Sequence, residues 1–490
     1  MLAIGNLDLG TKNGAPEQII RKVFDDSAMV PAGKPGQVGK VEFPYLPAPE
    51  NPGEIVSKRV IPDLGITQVV FANNLVLKVK RTDFEANSFQ VNLIFGDGKQ
   101  VQPDGQPGLG LLATSVVNES GLGGLDKDEL ERALSGKNTR INFYVADDFF
   151  GFKGDGASGE VSLMFQMLYA HLKDPAFREK AYKRSLERFS QEYKRLMSTV
   201  DGVMRTRGER FLYGGNPRFG LPEKFEDFSR LSLKDVADWM SPALANDLIE
   251  LSVVGDVDVE MVISEAAKYL GSLPERTGSR MEKSREIPFF PTGKTQKITA
   301  PSRISKGLVT VAWPTEDIWN IKRSRALTVL GAVFSERLRI RIRETLGASY
   351  SPVAFNQSSK VYPEYGVLKT LIYTDPENVG LIEREVKKIA SDLAENGVDA
   401  DEFQRALEPV LVRIKDLRRQ NSYWLNMTLT GSERYPQQLE WSRSILRDYG
   451  SITQEYLSSL AKKYLDPSKA AVLVIVNALD NDSRKQSPSD

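Results

Sequence analysis

Of 490 residues none is cysteine, and only one, His171, is histidine. The first absence removes disulfides, thiolate metal sites and cysteine nucleophiles together. The second leaves a Ser-His-Asp arrangement one imidazole to draw on, and a zinc site needing two imidazoles cannot be built from this chain alone. Lack of cysteine is compatible with export and demands neither an oxidising nor a reducing compartment. Net charge is missing as well, since 65 Lys+Arg cancel 65 Asp+Glu. A protein held on nucleic acid by phosphate neutralisation shows a basic footprint, so the balance argues against nucleic acid as a partner. No run approaches ~18 consecutive apolar residues, so no membrane span is expected. The amino terminus, Met-Leu-Ala-Ile-Gly-Asn, has neither a basic n-region nor an apolar h-region and does not read as a signal peptide.

What is present describes a globular chain: 41% hydrophobic and 27% charged residues, with 22 Phe, 16 Tyr and 5 Trp. At about 100–200 residues per domain the length allows two to four domains. A recurring phrase orders them. Leu251-Ser-Val-Val-Gly-Asp-Val-Asp258 is an apolar run closed by Gly-Asp, followed by Met261, Ile263, Ala267 and Leu270 at helical spacing. Leu2-Ala-Ile-Gly-Asn-Leu-Asp8 has the same form and leads into Ile19, Ile20, Val23 and Phe24, while Leu473-Val-Ile-Val-Asn-Ala-Leu-Asp480 is a weaker third copy. Each reads as a buried strand leaving its sheet into a turn. Recurrence at about 220–250 residues implies two full modules preceded by the tail of another. A chain that opens on the last strand of a module is expected to be a fragment.

Six prolines between Pro31 and Pro52 mark an extended linker. Strands are then expected at 68–71, 75–80 and 89–95, helices at 109–118 and 126–134, and a strand pair at 139–146 and 149–153. Helices follow at about 159–173 and 176–199. Asp174-Pro175 reads as N-cap and N1 of the second, and Ser232 with Asp235 as a capping box before a helix near 232–240. The second module repeats the order. A strand at 307–312 precedes a helix at about 323–346 with Leu327, Leu330, Phe334, Leu338 and Ile342 on one face. Strands at 349–355 and 366–373 follow, then a helix after Asp375-Pro376 that stops at Gly397, and another opened by Asp399 and Glu402 and interrupted by Pro409. Helices at about 436–446 and 452–464 lead to a closing strand near 470–476. Strands, then helices, then a returning strand make each module α+β. The expected organisation is 1–65 as the end of a preceding module plus linker, 66–275 and 296–480 as modules joined by a linker at 276–295, and 481–490 as a disordered tail.

The most informative stretch is Arg337-Leu-Arg-Ile-Arg-Ile-Arg343-Glu-Thr-Leu-Gly347-Ala-Ser-Tyr350. The apolar stripe upstream and Gly347 at a C′ position favour a helix end over a strand. Arg343 then lies in the last turn and Tyr350 on the following strand, so both can face one cleft. The plainer reading is a solvated arginine face stabilising the helix C-terminus. Elsewhere His171 reads as a packing or surface residue. Gly293-Lys294-Thr295 is read as linker, because Pro288 stands where a phosphate loop needs its first glycine. Gly121-Leu-Gly-Gly124 and the glycines from 151 to 156 read as turns.

With the module order added, this stretch resembles the insulinase/pitrilysin family of zinc metallopeptidases, whose carboxy-terminal half carries Arg-Glu-x-x-Gly-x-x-Tyr. Here those residues are Arg343, Glu344, Gly347 and Tyr350. The resemblance covers about 66–480 and implies two tandem mitochondrial-processing-peptidase-like modules, each a mainly antiparallel sheet covered by helices. Active family members carry His-x-x-Glu-His on the first long helix of their amino-terminal module. The equivalent stretch here reads Leu109-Gly-Leu-Leu-Ala-Thr-Ser-Val-Val-Asn-Glu119, with Leu111, Thr114 and Ser115 at the ligand and base positions. The module is thus a degenerate copy, and no zinc is expected on this chain.

The resemblance implies the carboxy-terminal half of a zinc endopeptidase, inactive alone, forming one wall of a chamber for a peptide or unfolded protein. Arg343 and Tyr350 would serve the substrate or its oxyanion. Zinc and its ligands would come from an amino-terminal half or partner subunit carrying His-x-x-Glu-His. It also implies a periplasmic or secreted location. The alternative is a non-catalytic structural or peptide-binding subunit of the same family. A third reading is an anion-binding module built on Arg337, Arg339, Arg341 and Arg343.

Overall fold

The structure is a computed structural model that describes residues 15–30, 41–278, 287–302, 304–349 and 351–478. Residues 1–42 and 43–490 are two units. The first contains α1 (Pro16–Met29), opened by proline at N1, where the missing N–H has no intrahelical partner to lose, and none of its residues is buried. The strand expected at 2–8 and the tail at 481–490 lie outside the described residues.

The second unit holds two sheets. In chain order the first is built from β1 (Ile55–Ile61), β2 (Ile66–Phe71), β3 (Val76–Arg81), β4 (Ser88–Phe95), β5 (Arg140–Val145), β6 (Phe150–Ala157) and β7 (Ile249–Gly255). The second has β8 (Thr295–Ala300), β9 (Gly307–Thr315), β10 (Val353–Ser358), β11 (Gly366–Thr374) and β12 (Ala471–Asn477). Their orders are β1-β2-β3-β7-β4-β6-β5 and β10-β11-β9-β12-β8. Read from one edge, β5-β6-β4-β7-β3 corresponds strand for strand to β10-β11-β9-β12-β8. In both, only the last pair is parallel. Strand order therefore carries the repeat that the recurring phrase suggested. β7 is buried at every position, as a strand covered on both faces should be.

Helices α2 (Leu109–Ser120), α3 (Lys127–Ala133), α4 (Val161–Lys173), α5 (Glu179–Met197), α6 (Leu233–Asn246) and α7 (Val259–Tyr269) accompany the first sheet. Leu112, Val116, Phe165, Leu168, Val236 and Met240 bring three of them against its strands. Helices α8 (Ile321–Leu338), α9 (Val379–Asn396), α10 (Ala400–Leu417), α11 (Gln437–Gly450) and α12 (Gln454–Tyr464) do the same for the second. The Ser232/Asp235 and Asp399/Glu402 capping boxes form as expected.

The opposite faces are covered by exchange. A first arm, residues 199–221, leaves α5 and lays Val200 and Val203 against Ile298, Leu308, Leu473 and Ile475 of the second sheet. Farther along, Tyr213 stacks between Phe219 and Tyr365, with centroids at 3.9 and 5.0 Å, and Tyr365 donates its hydroxyl to Leu212 O at 2.8 Å. A second arm, residues 421–435, leaves α10 and lays Trp424, Leu425 and Leu429 against Ile61, Ile66 and Val254 of the first sheet. Each arm contains a wide π-type turn, Met204–Gly208 and Trp424–Leu429. Each module's arm thus covers the outer face of the other module's sheet.

Several boundaries differ from expectation. β1 lies inside the stretch read as linker to 65; its burial is that of an exposed edge, and Ser57-Lys58-Arg59 breaks its apolar pattern. β8 begins at residue 295, where linker was expected, and Arg276, also assigned to that linker, is buried and donates to Asp247 O at 3.0 Å. Asp174 is not an N-cap but the C-cap of α4, its amide donating to Ala170 O. α5 starts at Glu179, and the Asp174 carboxylate instead accepts from Tyr45 (2.6 Å) and the Gly124 amide (3.0 Å), fixing the end of the proline-rich segment. Asp375 precedes a 3-10 turn and makes no side-chain cap. β10 begins at Val353, later than the strand expected from 349.

His171, in the last turn of α4, sits with its ring 4.9 Å from that of Phe152. Burial pushes its pKa from 6.5 down to about 4. The unfolded chain therefore takes up the proton first, and stability rises with pH across that window. The neutral ring's contribution is full above about pH 6.5 and fades as pH falls toward 4. In melts at pH 7, 5.5 and 4, the Tm advantage of wild type over His171→Gln should shrink with acid. A constant difference would mean that the folded ring carries the charge.

Candidate functional site

α8 is held down by Leu327, Leu330, Phe334 and Leu338, all fully buried. It does not stop at Leu338 but widens into π-type turns over Arg339–Thr345, anchored by buried Ile342 while Ile340 faces solvent. Such turns are common at functional sites. Gly347, at φ +62, closes the element as the C′ glycine it was read to be. Its amide donates to Arg343 O at 3.2 Å and that of Ala348 to Ile342 O at 3.0 Å.

The four arginines from the last turn of α8 through this element have different fates. Arg337 forks onto Glu402 with two bonds of 2.8 Å and reaches Asp392 at 2.6 Å. Arg339 is clamped by Glu336 at 2.6 Å and by Glu344. Arg341 pairs with Glu385 at 2.6 Å and holds that carboxyl below its usual range. Three of the four are thereby neutralised, which overturns the anion-binding reading built on all four. Arg343 is exposed, and among the described residues its side chain has neither an ion pair nor a hydrogen bond. A solvent-facing guanidinium at the end of a buried helix can donate to a carbonyl or an oxyanion that approaches it. Tyr350, its expected companion, lies outside the described residues.

The helix read as the degenerate metal helix is α2, entered through Gly108 at φ +86. Leu111 offers no donor atom. The Thr114 hydroxyl donates back to Gly110 O at 2.8 Å, and the Ser115 hydroxyl is buried against Ser185 at 2.6 Å and the Arg188 guanidinium. A guanidinium beside the only buried oxygen of the three repels a cation, so these residues do not fit zinc. Among the described residues no group of three or more His, Asp or Glu side chains is placed to hold a metal ion. Metal analysis after exhaustive dialysis should find zinc far below one per chain. One tightly held zinc would show the assignment of α2 to be wrong.

Sequence reasoning did not find the polar clasp between the modules. Glu250, on buried β7, accepts from the amides of Ser432 and Glu433 in the second arm, both at 3.1 Å. Lys78 on β3 lies 3.3 Å from Glu250 and 3.5 Å from Glu433. Arg434 donates to Gly96 O at 2.7 Å and Tyr435 to Asp148 at 2.8 Å. The signal was a charge set among apolar residues in each of two strands, Glu250 in β7 and Lys78 in β3, the latter followed by Lys80 and Arg81.

Comparison with known proteins places this architecture. Residues 230–410 match the family model described as Peptidase M16 inactive domain. The chloroplastic stromal processing peptidase of rice (Oryza sativa subsp. indica) is 21% identical over 503 residues, covering 92% of this chain and 40% of that protein. The chain thus spans about two-fifths of the length of that relative. Among solved structures, a peptidase M16 inactive domain from Pseudomonas fluorescens superposes with a TM-score of 0.71 at 17% identity, covering 84% of this chain and 98% of that one. The periplasmic protease PqqL from Escherichia coli gives a TM-score of 0.71 at 15% identity, over 95% of this chain and 51% of that one. Among the described residues no helix is long and apolar enough to cross a membrane. Strand order and helix order agree with these matches: the chain shares the fold of the solved M16 structures, and its residues 230–410 are similar to the M16 inactive domain of the insulinase/pitrilysin peptidases.

Proposed function

We propose that this chain is the non-catalytic half of a zinc-dependent endopeptidase and forms one wall of a chamber that holds a peptide or unfolded protein. In this reading 66–275 and 296–480 are its two modules. An amino-terminal half or a partner subunit brings the His-x-x-Glu-His motif and the zinc. Arg343 and Tyr350 reach the substrate carbonyl from the opposite wall and donate to the oxygen as it gains charge. The observation that carries the reading is the state of Arg343. Of the four arginines between 337 and 343 it alone is exposed with no side-chain partner among the described residues, at the position where the family motif has its arginine. The rice relative's printed name is that of a processing peptidase of the chloroplast, and the Escherichia coli neighbour's that of a periplasmic protease. Both are consistent with an enzyme acting on protein substrates, and the second with a periplasmic setting for this chain.

Reconstitution tests this directly. A quenched fluorescent peptide should be cleaved when the chain is combined with the half carrying the metal motif, and by neither part alone. Full hydrolysis by the metal-bearing half without this chain would leave it as a structural or peptide-binding subunit.

A further inference from the structure

The first arm does more than cover the second sheet. Between it, α2 and the end of β5 lies a cleft of about 360 Å³. Gly110, Leu111 and Thr114 form one wall, Val145 the rim, and Arg205 and Glu209 the opposite wall. Lys99 and Arg218 also line it, paired to Asp147 at 3.2 Å and Asp104 at 2.9 Å. Glu209 stands in the field of Lys369, from β11 of the other sheet, and of Arg205 and Lys99. Of the three cations that line the cleft, Lys99 and Arg218 are thus paired to Asp147 and Asp104, and Arg205 shares it with the Glu209 carboxylate. Arg205 also feels Glu192, but that carboxylate is bound by Arg195 at 2.6 Å. Among the described residues the Arg205 side chain is exposed and has neither an ion pair nor a hydrogen bond. Its place is fixed by the backbone, since the Leu221 amide donates to Arg205 O at 3.1 Å.

We propose that this cleft is a subsite for a carboxylate of the bound peptide, either an acidic side chain or the peptide's own C-terminus, with Arg205 as the group that contacts it. The inference rests on the chamber reading above, because it takes the ligand to be a peptide. Leu111 stands where the family resemblance places a metal-motif residue, so a wall with no donor for a metal borders a cleft whose Arg205 guanidinium makes no ion pair or hydrogen bond among the described residues. Glu209 sets the selectivity. It keeps the cleft from being a general anion trap and opposes a second negative charge at close range.

The test is direct binding to the whole 490-residue chain, followed by fluorescence anisotropy. The probes are a labelled unstructured peptide with one central glutamate, its glutamine counterpart, and both with amidated C-termini. The glutamate peptide should bind about tenfold more tightly than the glutamine peptide if a side chain is read, and the amides should lose about tenfold if the terminus is read. Arg205→Glu should erase that difference and Glu209→Gln should increase it. Equal binding of all four peptides, or a difference that survives Arg205→Glu, overturns the carboxylate subsite and leaves the chamber reading intact. No binding of any peptide overturns both.

Discussion

Tyr350→Phe, made in the protein reconstituted with its metal-bearing half, should lower turnover by about 10²–10³ while leaving substrate affinity near wild type. Loss of one donor aimed at a developing oxyanion costs roughly 3–4 kcal/mol of transition-state stabilisation. A bond made only in the transition state appears in kcat and not in KM. The substitution removes one hydroxyl and keeps the ring, so packing is the smaller part of its effect. Arg343→Ala should act in the same direction. Arg343 makes no ion pair among the described residues, so its removal orphans no carboxylate. The helix end loses a favourable charge of about 0.3–1 kcal/mol. Arg341→Ala is the control: it frees Glu385 but leaves the donors in place, and should change stability more than turnover. Melting curves belong beside the kinetics. A folded Tyr350→Phe enzyme with unchanged turnover would remove the catalytic role and favour the subunit reading.

The extent to which the fold was legible follows from burial. β7 and β12 could be read because strands covered on both faces are near-continuous apolar runs, and α8 because its stripe keeps helical spacing over five apolar positions. β1 could not, because an edge strand with six exposed positions carries no such pattern. The arms were opaque for a different reason. Val200, Val203, Leu212 and Phe219 look like stray hydrophobics between helices, and their partners lie a hundred residues away on the other sheet. Local periodicity cannot report a contact of that separation. The same limit applied to the arginines. The sequence offered four equivalent cations; the Glu336–Arg339 pair is local, but only tertiary placement of Glu402 and Glu385 took up Arg337 and Arg341 and left Arg343 apart. Asp174-Pro175 misled because an aspartate that satisfies distant amides has the same local sequence as an N-cap.

Glu250→Ala should be among the most destabilising single substitutions in the chain, at about 3–5 kcal/mol, the cost of breaking a buried ion pair by removing one partner. Glu250 is 1% exposed and Lys78 2%, so neither can turn to water when its partner is lost. Without the carboxylate, the Ser432 and Glu433 amides lose their acceptor and Lys78 keeps only Glu433, at 3.5 Å. Glu250→Gln retains an acceptor but not the charge and should fall between Ala and wild type. Lys78→Met should cost less than Glu250→Ala, because Glu250 keeps both amides. The same order should appear in proteolysis. The second arm is held by Glu250 at one end and by Thr82, which donates to Asn421 at 2.6 Å, at the other. Cleavage within 421–435 should therefore accelerate in the Glu250→Ala protein before global unfolding. Denaturant titration with a probe on each sheet separates the cases. If the clasp couples the modules, wild type unfolds in one transition and Glu250→Ala in two; a single transition within 1 kcal/mol of wild type would mean that apolar contacts of Trp424 and Leu425 hold the arm without it.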